Sequence, residues 1–199
     1  MSEFAKALAS ARNALDIEIA ALNKLASRIE ENIEPALNLI TSSKGRVIIS
    51  GIGKSGLVGA KMAATLSSTG TAAYFIHSTD ALHGDSGAIL ADDLVIAISN
   101  SGQTAEVVAF ASMVKGWGNK VIAITGKPES ELGRISDVVL DISFEKESDP
   151  NGLAPTTSTT LTIALGDALA AALITCKNFT VQDFGKRHPG GALGKKSNG

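Results

Sequence analysis

Lys54 lies in Gly51-Ile52-Gly53-Lys54-Ser55-Gly56, directly behind the apolar run Val47-Ile48-Ile49. A strand that ends in glycine and feeds a helix aims unpaired N–H groups and a positive dipole end at an incoming anion, and an ammonium in that turn adds a full charge. Phosphate is the natural guest, with Gly53 and Ser55 in the same turn. The Walker A pattern does not fit, because the glycine it needs five positions before Gly53 is Ile48. The dinucleotide spacing Gly51, Gly53, Gly56 is present, but the second strand ends in His77 instead of the acid that would hold a ribose, with Asp80 lying past the strand.

A second group follows the run Leu94 to Ser99, in Ser99-Asn100-Ser101-Gly102-Gln103-Thr104. The hydroxyls of Ser99, Ser101 and Thr104, with Asn100 between them and a helix N-terminus behind, make a neutral cradle that suits a sugar monophosphate better than a polyanion. Taken alone, Ser101 or Thr104 would read as a plain helix cap. Candidates for acid–base chemistry are Glu106, Glu147, His83 in His83-Gly84-Asp85-Ser86-Gly87, and His188 in His188-Pro189-Gly190-Gly191-Ala192-Leu193-Gly194. Glycine beside histidine suits a loop that must approach a small ligand. Asp92 and Asp93 read as turn caps, Trp117 as a plug at a helix end, and Cys176 as a buried packing residue. No metal-ligand spacing such as HExxH occurs, so neither a metal nor a cofactor is expected.

These residues need a scaffold, and the hydrophobic pattern supplies one. From Phe4 to Ile29 apolar residues recur at helical spacing, and a shorter helix should run from Pro35 through Ile40. Five apolar runs follow, at Val47 to Ser50, Ala72 to Ile76, Leu94 to Ser99, Lys120 to Thr125 and Val138 to Ile142, separated by helical segments at Ser55 to Ser68, Thr104 to Lys115 and Glu129 to Ser136. A helix at Thr157 to Thr175 and a tail helix around Val181 to Phe184 complete the chain. Near-continuous apolar strands alternating with helices predict a parallel sheet buried on both faces, hence a three-layer α/β sandwich with leading N-terminal helices. In such open sheets the ligand binds beyond the carboxyl ends of the strands, where both glycine- and serine-rich turns lie.

The chain of 199 residues is 44% apolar, enough for one substantial core, so one domain is expected over residues 1–199, with helices over 1–44 and the α/β core and tail over 45–199. A formal charge of −2 gives no basic field for nucleic acid. Met1 to Arg12 lacks the apolar stretch of a secretion signal, and Thr157 to Thr175, interrupted by Gly166 and Asp167, falls short of a clean membrane span. A cytoplasmic protein without membrane partners is the expectation.

Together with Gly152-Leu153-Ala154-Pro155-Thr156 to Thr160, the segments around Lys54, His83, Ser99 and His188 resemble the sugar isomerase (SIS) domain of D-arabinose 5-phosphate isomerases, over nearly the whole chain. The Lys54 and Ser99 motifs alone indicate phosphosugar binding; those around His83, Leu153 and His188 are more specific to the arabinose 5-phosphate group. The resemblance implies an SIS fold, a doubly wound sheet of flavodoxin type. It also implies interconversion of D-ribulose 5-phosphate and D-arabinose 5-phosphate, towards 3-deoxy-D-manno-octulosonate for lipopolysaccharide or capsule. Functional residues carry over to Lys54, His83, Glu106, Glu147 and His188. The chain departs from the family pattern at Gln103, where an acid often follows the serine turn, at His77 to Ala81, and at Gly199, where typical members continue into paired CBS domains.

Such an isomerisation passes through a cis-enediol and needs one base and one stabiliser of oxyanion charge. Ser99, Ser101, Thr104 and Ser55 would hold the phosphate, Lys54 would stabilise the oxygens, Glu106 or Glu147 would be the base, and His83 or His188 would shuttle protons. The amphipathic first helix predicts a homo-oligomer, and the family a tetramer with sites shared between subunits. A non-catalytic phosphosugar sensor, or an isomerase of hexose or hexulose phosphates, would share part of this residue set.

Overall fold

The computed structural model describes residues 2–190. Two leading helices, α1 (Glu3–Ala26) and α2 (Ile29–Ser42), precede an alternation of β1 (Val47–Gly51), α3 (Gly53–Ser68), β2 (Ala73–His77), α4 (Ser78–Leu82), β3 (Leu94–Ile98), α5 (Ala105–Gly116), β4 (Lys120–Thr125), α6 (Glu131–Ile135) and β5 (Val138–Asp141). The long α7 (Thr157–Cys176) and short α8 (Val181–Arg187) follow. All strand pairs are parallel, in the order β2-β1-β3-β4-β5. This is the expected three-layer α/β architecture.

The central strands β1 and β3 are wholly buried, as their uninterrupted apolar runs require. Ile49, Ile96, Ile98, Ile122 and Ile124 face a core shared with α2, α3 and α7, through residues such as Ile40, Met62, Leu66, Leu165 and Leu169. Ile48, Val95, Ala97, Val121 and Ala123 face the other layer, packed by Phe110, Val107 and Val114 of α5 and Leu132 of α6. Alternate residues along each strand thus serve opposite layers, the period-two rule of a pleated strand. By length and composition alone α7 would suffice to cross a membrane. Here Leu161, Leu165, Leu169 and Leu173 are buried in the core cluster it shares with α3 and the sheet.

Several sequence expectations need correction. The first helix stops at Ala26 and the second begins at Ile29, before Pro35 instead of at it. The break is imposed by the sheet edge. Arg28 donates to the Ser143 carbonyl oxygen at 2.8 Å and to its Oγ at 3.0 Å. Asn32 pairs through its side chain with the Asp141 backbone, donating to the carbonyl at 2.9 Å and accepting from the N–H at 2.8 Å. One amide side chain thereby satisfies both backbone groups of Asp141, the last residue of the edge strand β5. Pro35 and Glu31 are both exposed, so the carbonyl that loses its donor to proline lies on the solvent side of α2. The segment around His83 contains α4 and a 3-10 turn at Asp85–Ala88 in place of a plain glycine loop. Cys176 is exposed, because as the last residue of α7 it lies past Leu173, the last buried leucine of that helix, and Trp117 is 52% exposed after α5.

Asp93 does more than cap a turn. Its carboxylate is buried at the amino-terminal end of the sheet, where Oδ1 accepts from the Arg46 backbone N–H at 2.8 Å and Nε at 3.0 Å, and Oδ2 from Arg46 Nη2 at 2.5 Å and the Leu90 N–H at 2.8 Å. Burial pushes the Asp93 carboxyl up, but the Arg46 guanidinium and the two backbone N–H groups outweigh it and leave it below the ordinary aspartate value. Asp137 is lowered in the same way: burial opposes, while Lys115, the Val121 N–H and Lys120 prevail. Carboxyls depressed in the folded state supply stability that is complete above the unfolded pKa of about 3.9 and is lost as pH falls through the folded values. Replacing Asp93 by Asn should therefore cost about 2 kcal/mol at neutral pH, and the deficit should shrink below about pH 4, as measured by urea unfolding across pH.

Candidate functional site

The strand order places β1 beside β3, and the helices that leave these two strands pack on opposite faces of the sheet. Their exits diverge and open a crevice at the carboxyl ends, the switch point at which open α/β sheets bind ligands. Gly51 is in register with Ile98, so the turns after the two strands start side by side.

At the first turn, Gly53 adopts φ +55°, a left-handed conformation that glycine reaches without strain, and opens α3. Lys54 is thus the second residue of the helix and not part of a preceding loop. The capping residue is Ile52, which has no side-chain acceptor to offer, and the first backbone bond at this end is Gly56 N–H to the Ile52 carbonyl at 3.0 Å. The N–H groups of Gly53, Lys54 and Ser55 stay open for an anion. Gly56 lets the helix approach the strand: a Cβ there would stand 3.0 Å from the Gly51 carbonyl oxygen and 3.3 Å from the Phe75 ring. Lys54 is exposed and makes no hydrogen bond or ion pair among the described residues.

The second turn is organised by the buried Ser99. Its Oγ accepts from the Gly102 N–H at 3.1 Å and lies 2.8 Å from Thr104 Oγ1 and 3.5 Å from Ser101 Oγ. Neither Ser101 nor Thr104 caps α5. Thr104 is the cap residue but makes no side-chain bond to the helix, and Ser101 Oγ accepts from the Gln103 N–H at 3.2 Å. The three hydroxyls therefore cluster at an open helix N-terminus. Gly102 holds φ +61°, and a Cβ there would fall 1.9 Å from Ser130 Oγ, which makes this glycine a packing requirement. Asn100 ties the turn to β4, its carbonyl accepting from the Gly126 N–H at 3.0 Å and Thr125 Oγ1 at 3.3 Å.

Glu147 reaches the same end of the sheet by another route. Its Oε2 accepts from the Thr156 N–H at 2.9 Å, the Ser158 N–H at 3.1 Å and Thr156 Oγ1 at 3.2 Å, and so closes the N-terminus of α7 from outside the helix. All three bonds fall on one oxygen, which leaves Oε1 for another partner. Helices α3 and α7 lie side by side and start level with each other: Gly166, the tenth residue of α7, packs on Met62, the tenth of α3, and Asp167 pairs with Lys61. Lys54 and Glu147 thus stand at neighbouring helix starts. Glu106, the second residue of α5, stands across the crevice beside the hydroxyl cluster.

The histidines are placed differently. His83 ends α4 at the same end of the sheet and is exposed; α4 is fixed there by a buried 2.8 Å contact between Ser78 Oγ and Ser50 Oγ. His188 is not brought to this site. Helix α7 runs about 30 Å from it, and beyond that helix Phe179 packs over Gly70, at the opposite end of the sheet. The seven-residue α8 spans only about 10 Å. His188 there stacks on Phe184, ring centroids 3.8 Å apart, with Nδ1 2.9 Å from the Phe184 carbonyl oxygen. The glycine-rich segment 191–194 that follows lies outside the described residues. Thr156 and Ser158, which hold Glu147, were within the Leu153 motif but carried no role in the sequence; the backbone bonds that give them one are invisible there.

The SIS domain model matches residues 39–172, and the chain belongs to that family. It is 47% identical over 196 residues to the arabinose 5-phosphate isomerase KdsD of Pseudomonas aeruginosa, covering 98% of this chain and 60% of the relative. The KdsD of Francisella tularensis is 51% identical over 183 residues, covering 90% and 56%. The chain thus spans somewhat over half the length of these curated relatives. The Escherichia coli CFT073 protein c3406, solved in complex with A5P, superposes with a TM-score of 0.89 at 38% identity, covering 95% of this chain and 100% of the other.

Ser99 is the hub of the second turn. Ser99→Ala should weaken binding of a sugar monophosphate about tenfold, the scale of one lost hydrogen bond with its organising effect, as read by calorimetry.

Proposed function

We propose that this chain is an aldose–ketose isomerase that interconverts D-ribulose 5-phosphate and D-arabinose 5-phosphate, feeding 3-deoxy-D-manno-octulosonate synthesis for lipopolysaccharide or capsule. The observation that carries the proposal is the meeting, at one switch point, of two open helix N-termini, a hydroxyl cluster, an unpaired lysine and a carboxylate held by a third helix. The KdsD relatives and the A5P complex supply the substrate class.

The open N–H groups of α3 and α5, with Ser55, Ser99, Ser101 and Thr104, bind the phosphate. Glu147, the carboxylate whose orientation is fixed, removes the C1 proton of the ketose, and the electron pair forms the cis-enediol. Return of the proton to C2 gives the aldose. Lys54 stabilises charge on the sugar oxygens, a task suited to a compact ammonium. In this reading Glu106 and His83 exchange protons with those oxygens.

His188 belongs in this scheme through a second subunit. Helix α1 exposes Phe4, Leu8, Leu15 and Ile19, between 55% and 74%, a stripe suited to burial between copies of the chain. The working form is therefore a cytoplasmic homo-oligomer, a tetramer by family resemblance, in which His188 completes a neighbour's site.

Incubation with ribulose 5-phosphate should yield arabinose 5-phosphate, with fructose 6-phosphate unconverted; conversion of the hexose alone would replace the substrate, and of neither would favour a sensor. Lys54→Ala should lower kcat by about a hundredfold or more, the scale of one lost oxyanion stabiliser. Mixing Lys54→Ala and His188→Ala protein should restore activity where an intact lysine and an intact histidine meet from different chains, and no recovery would contradict shared sites.

A further inference from the structure

Glu18, in the middle of α1, is a carboxylate that the reaction scheme does not use. Its two oxygens are committed to two different segments of the chain. Oε1 accepts from Ser148 Oγ at 2.8 Å, and Oε2 accepts from Thr160 Oγ1 at 3.0 Å. Both targets bear on Glu147. Ser148 is its neighbour in the chain, and Thr160 lies in the first turn of α7, the turn whose N–H groups grip Glu147 Oε2.

The bonds close a ring. Glu147 Oε2 is held by Thr156 and Ser158, the Ser148 N–H donates to Thr156 Oγ1 at 2.9 Å, and Glu18 bridges Ser148 back to Thr160. Ser148 is 3% exposed, so its hydroxyl needs a protein acceptor, and Glu18 supplies it. The segment from Ser143 to Thr156 contains neither helix nor strand, and no sheet ladder fixes Glu147 within it. A carboxylate that must meet a substrate carbon within a fraction of an ångström cannot depend on such a segment alone, since a displacement of about 1 Å costs about a hundredfold in rate. The clamp from α1 sets the distance between the loop that carries Glu147 and the helix that orients it.

We infer that Glu18 is a positioning residue for Glu147, acting through Ser148 and Thr160; the inference rests on the proposed catalytic role of Glu147. Its removal should lower kcat while leaving substrate affinity nearly intact, because the phosphate cradle lies in the turns after β1 and β3 and at the starts of α3 and α5, and shares none of these bonds. A residue that merely stabilised the fold would instead lower the amount of active protein without this split.

The test is a mutant cycle with an independent structural readout. Glu18→Ala should reduce kcat by at least about tenfold with KM within about twofold, and Glu18→Gln, which keeps an acceptor and the shape, should recover most of that loss. In a Glu147→Gln background the Glu18→Ala change should have no further effect on kcat, since residues acting as one unit are not additive. Thr160→Val, which removes one bond of the clamp, serves where Glu18→Ala fails to fold and should show a smaller loss of the same kind. Amide hydrogen exchange at Thr156 and Ser158 should quicken about tenfold in Glu18→Ala, with the sheet amides unchanged. An unchanged kcat in folded Glu18→Ala, a further full loss in the Glu147→Gln background, or unchanged exchange at Thr156 and Ser158 would overturn the inference. Absence of isomerisation in the wild type would instead overturn the proposed function, and the exchange measurement would still decide whether Glu18 holds the Glu147 segment.

Discussion

The reversal of direction at the β1–β3 boundary is the constraint on which the rest depends. Because α3 and α5 leave adjacent strands toward opposite layers, their first turns cannot cover each other, and their unpaired N–H groups face one crevice. Side chains close four other helix starts, through Ser2 for α1, Ser130 for α6, Glu147 for α7 and Thr180 for α8, while α2 and the short α4 start without one. At α3 and α5 no side chain closes the start either, and these two starts lie side by side. Ile52 carries no acceptor, and Thr104 turns its hydroxyl toward Ser99. Two helices of 16 and 12 residues thereby keep their positive ends open where an anion can reach them.

The same economy explains how a lysine, a hydroxyl cluster and a carboxylate come together without a basic surface. The chain has a formal charge of −2, so no general field draws in a phosphate; the attraction is local, from helix ends and one lysine. The carboxylate partner arrives from the far side of the sheet order, after β5, and is fixed by closing the start of α7. Level packing of α7 on α3 then sets Glu147 beside Lys54. Small residues make that packing possible, since any side chain at Gly166 would enter Met62.

Much of this was legible in the sequence because strand periodicity and turn chemistry act locally. The five apolar runs gave the five strands to within a residue or so at each end, and the glycine and serine turns fell where the sheet order needs them. What was not legible depends on contacts between distant segments. The break at Ser27 and Arg28 follows from Arg28 and Asn32 reaching the edge of β5, more than a hundred residues away. Helix α4 is too short to show a period, and the exposure of Cys176 depends on how far along α7 the core reaches. Likewise, Ser101 and Thr104 read from sequence as part of a cradle or, taken alone, as helix caps, because both uses need the same residues; the direction of Thr104 Oγ1 separates the two. The sequence named Lys54, Glu106 and Glu147 but had no means of showing that the start of α7 is what holds Glu147, or that His188 lies at the other end of the sheet.

In the proposed reaction a carboxylate fixed at the start of α7 moves a proton between C1 and C2 at this crevice. Turnover of arabinose 5-phosphate deuterated at C2, followed by NMR in ordinary water, tests it most directly. Proton transfer through an enediol predicts at least partial loss of label to solvent during conversion, with that loss and product formation both slowed about a hundredfold or more in Glu147→Gln. Conversion at an unchanged rate in that variant, with the label fully retained at C1 of the ribulose 5-phosphate formed, would contradict it.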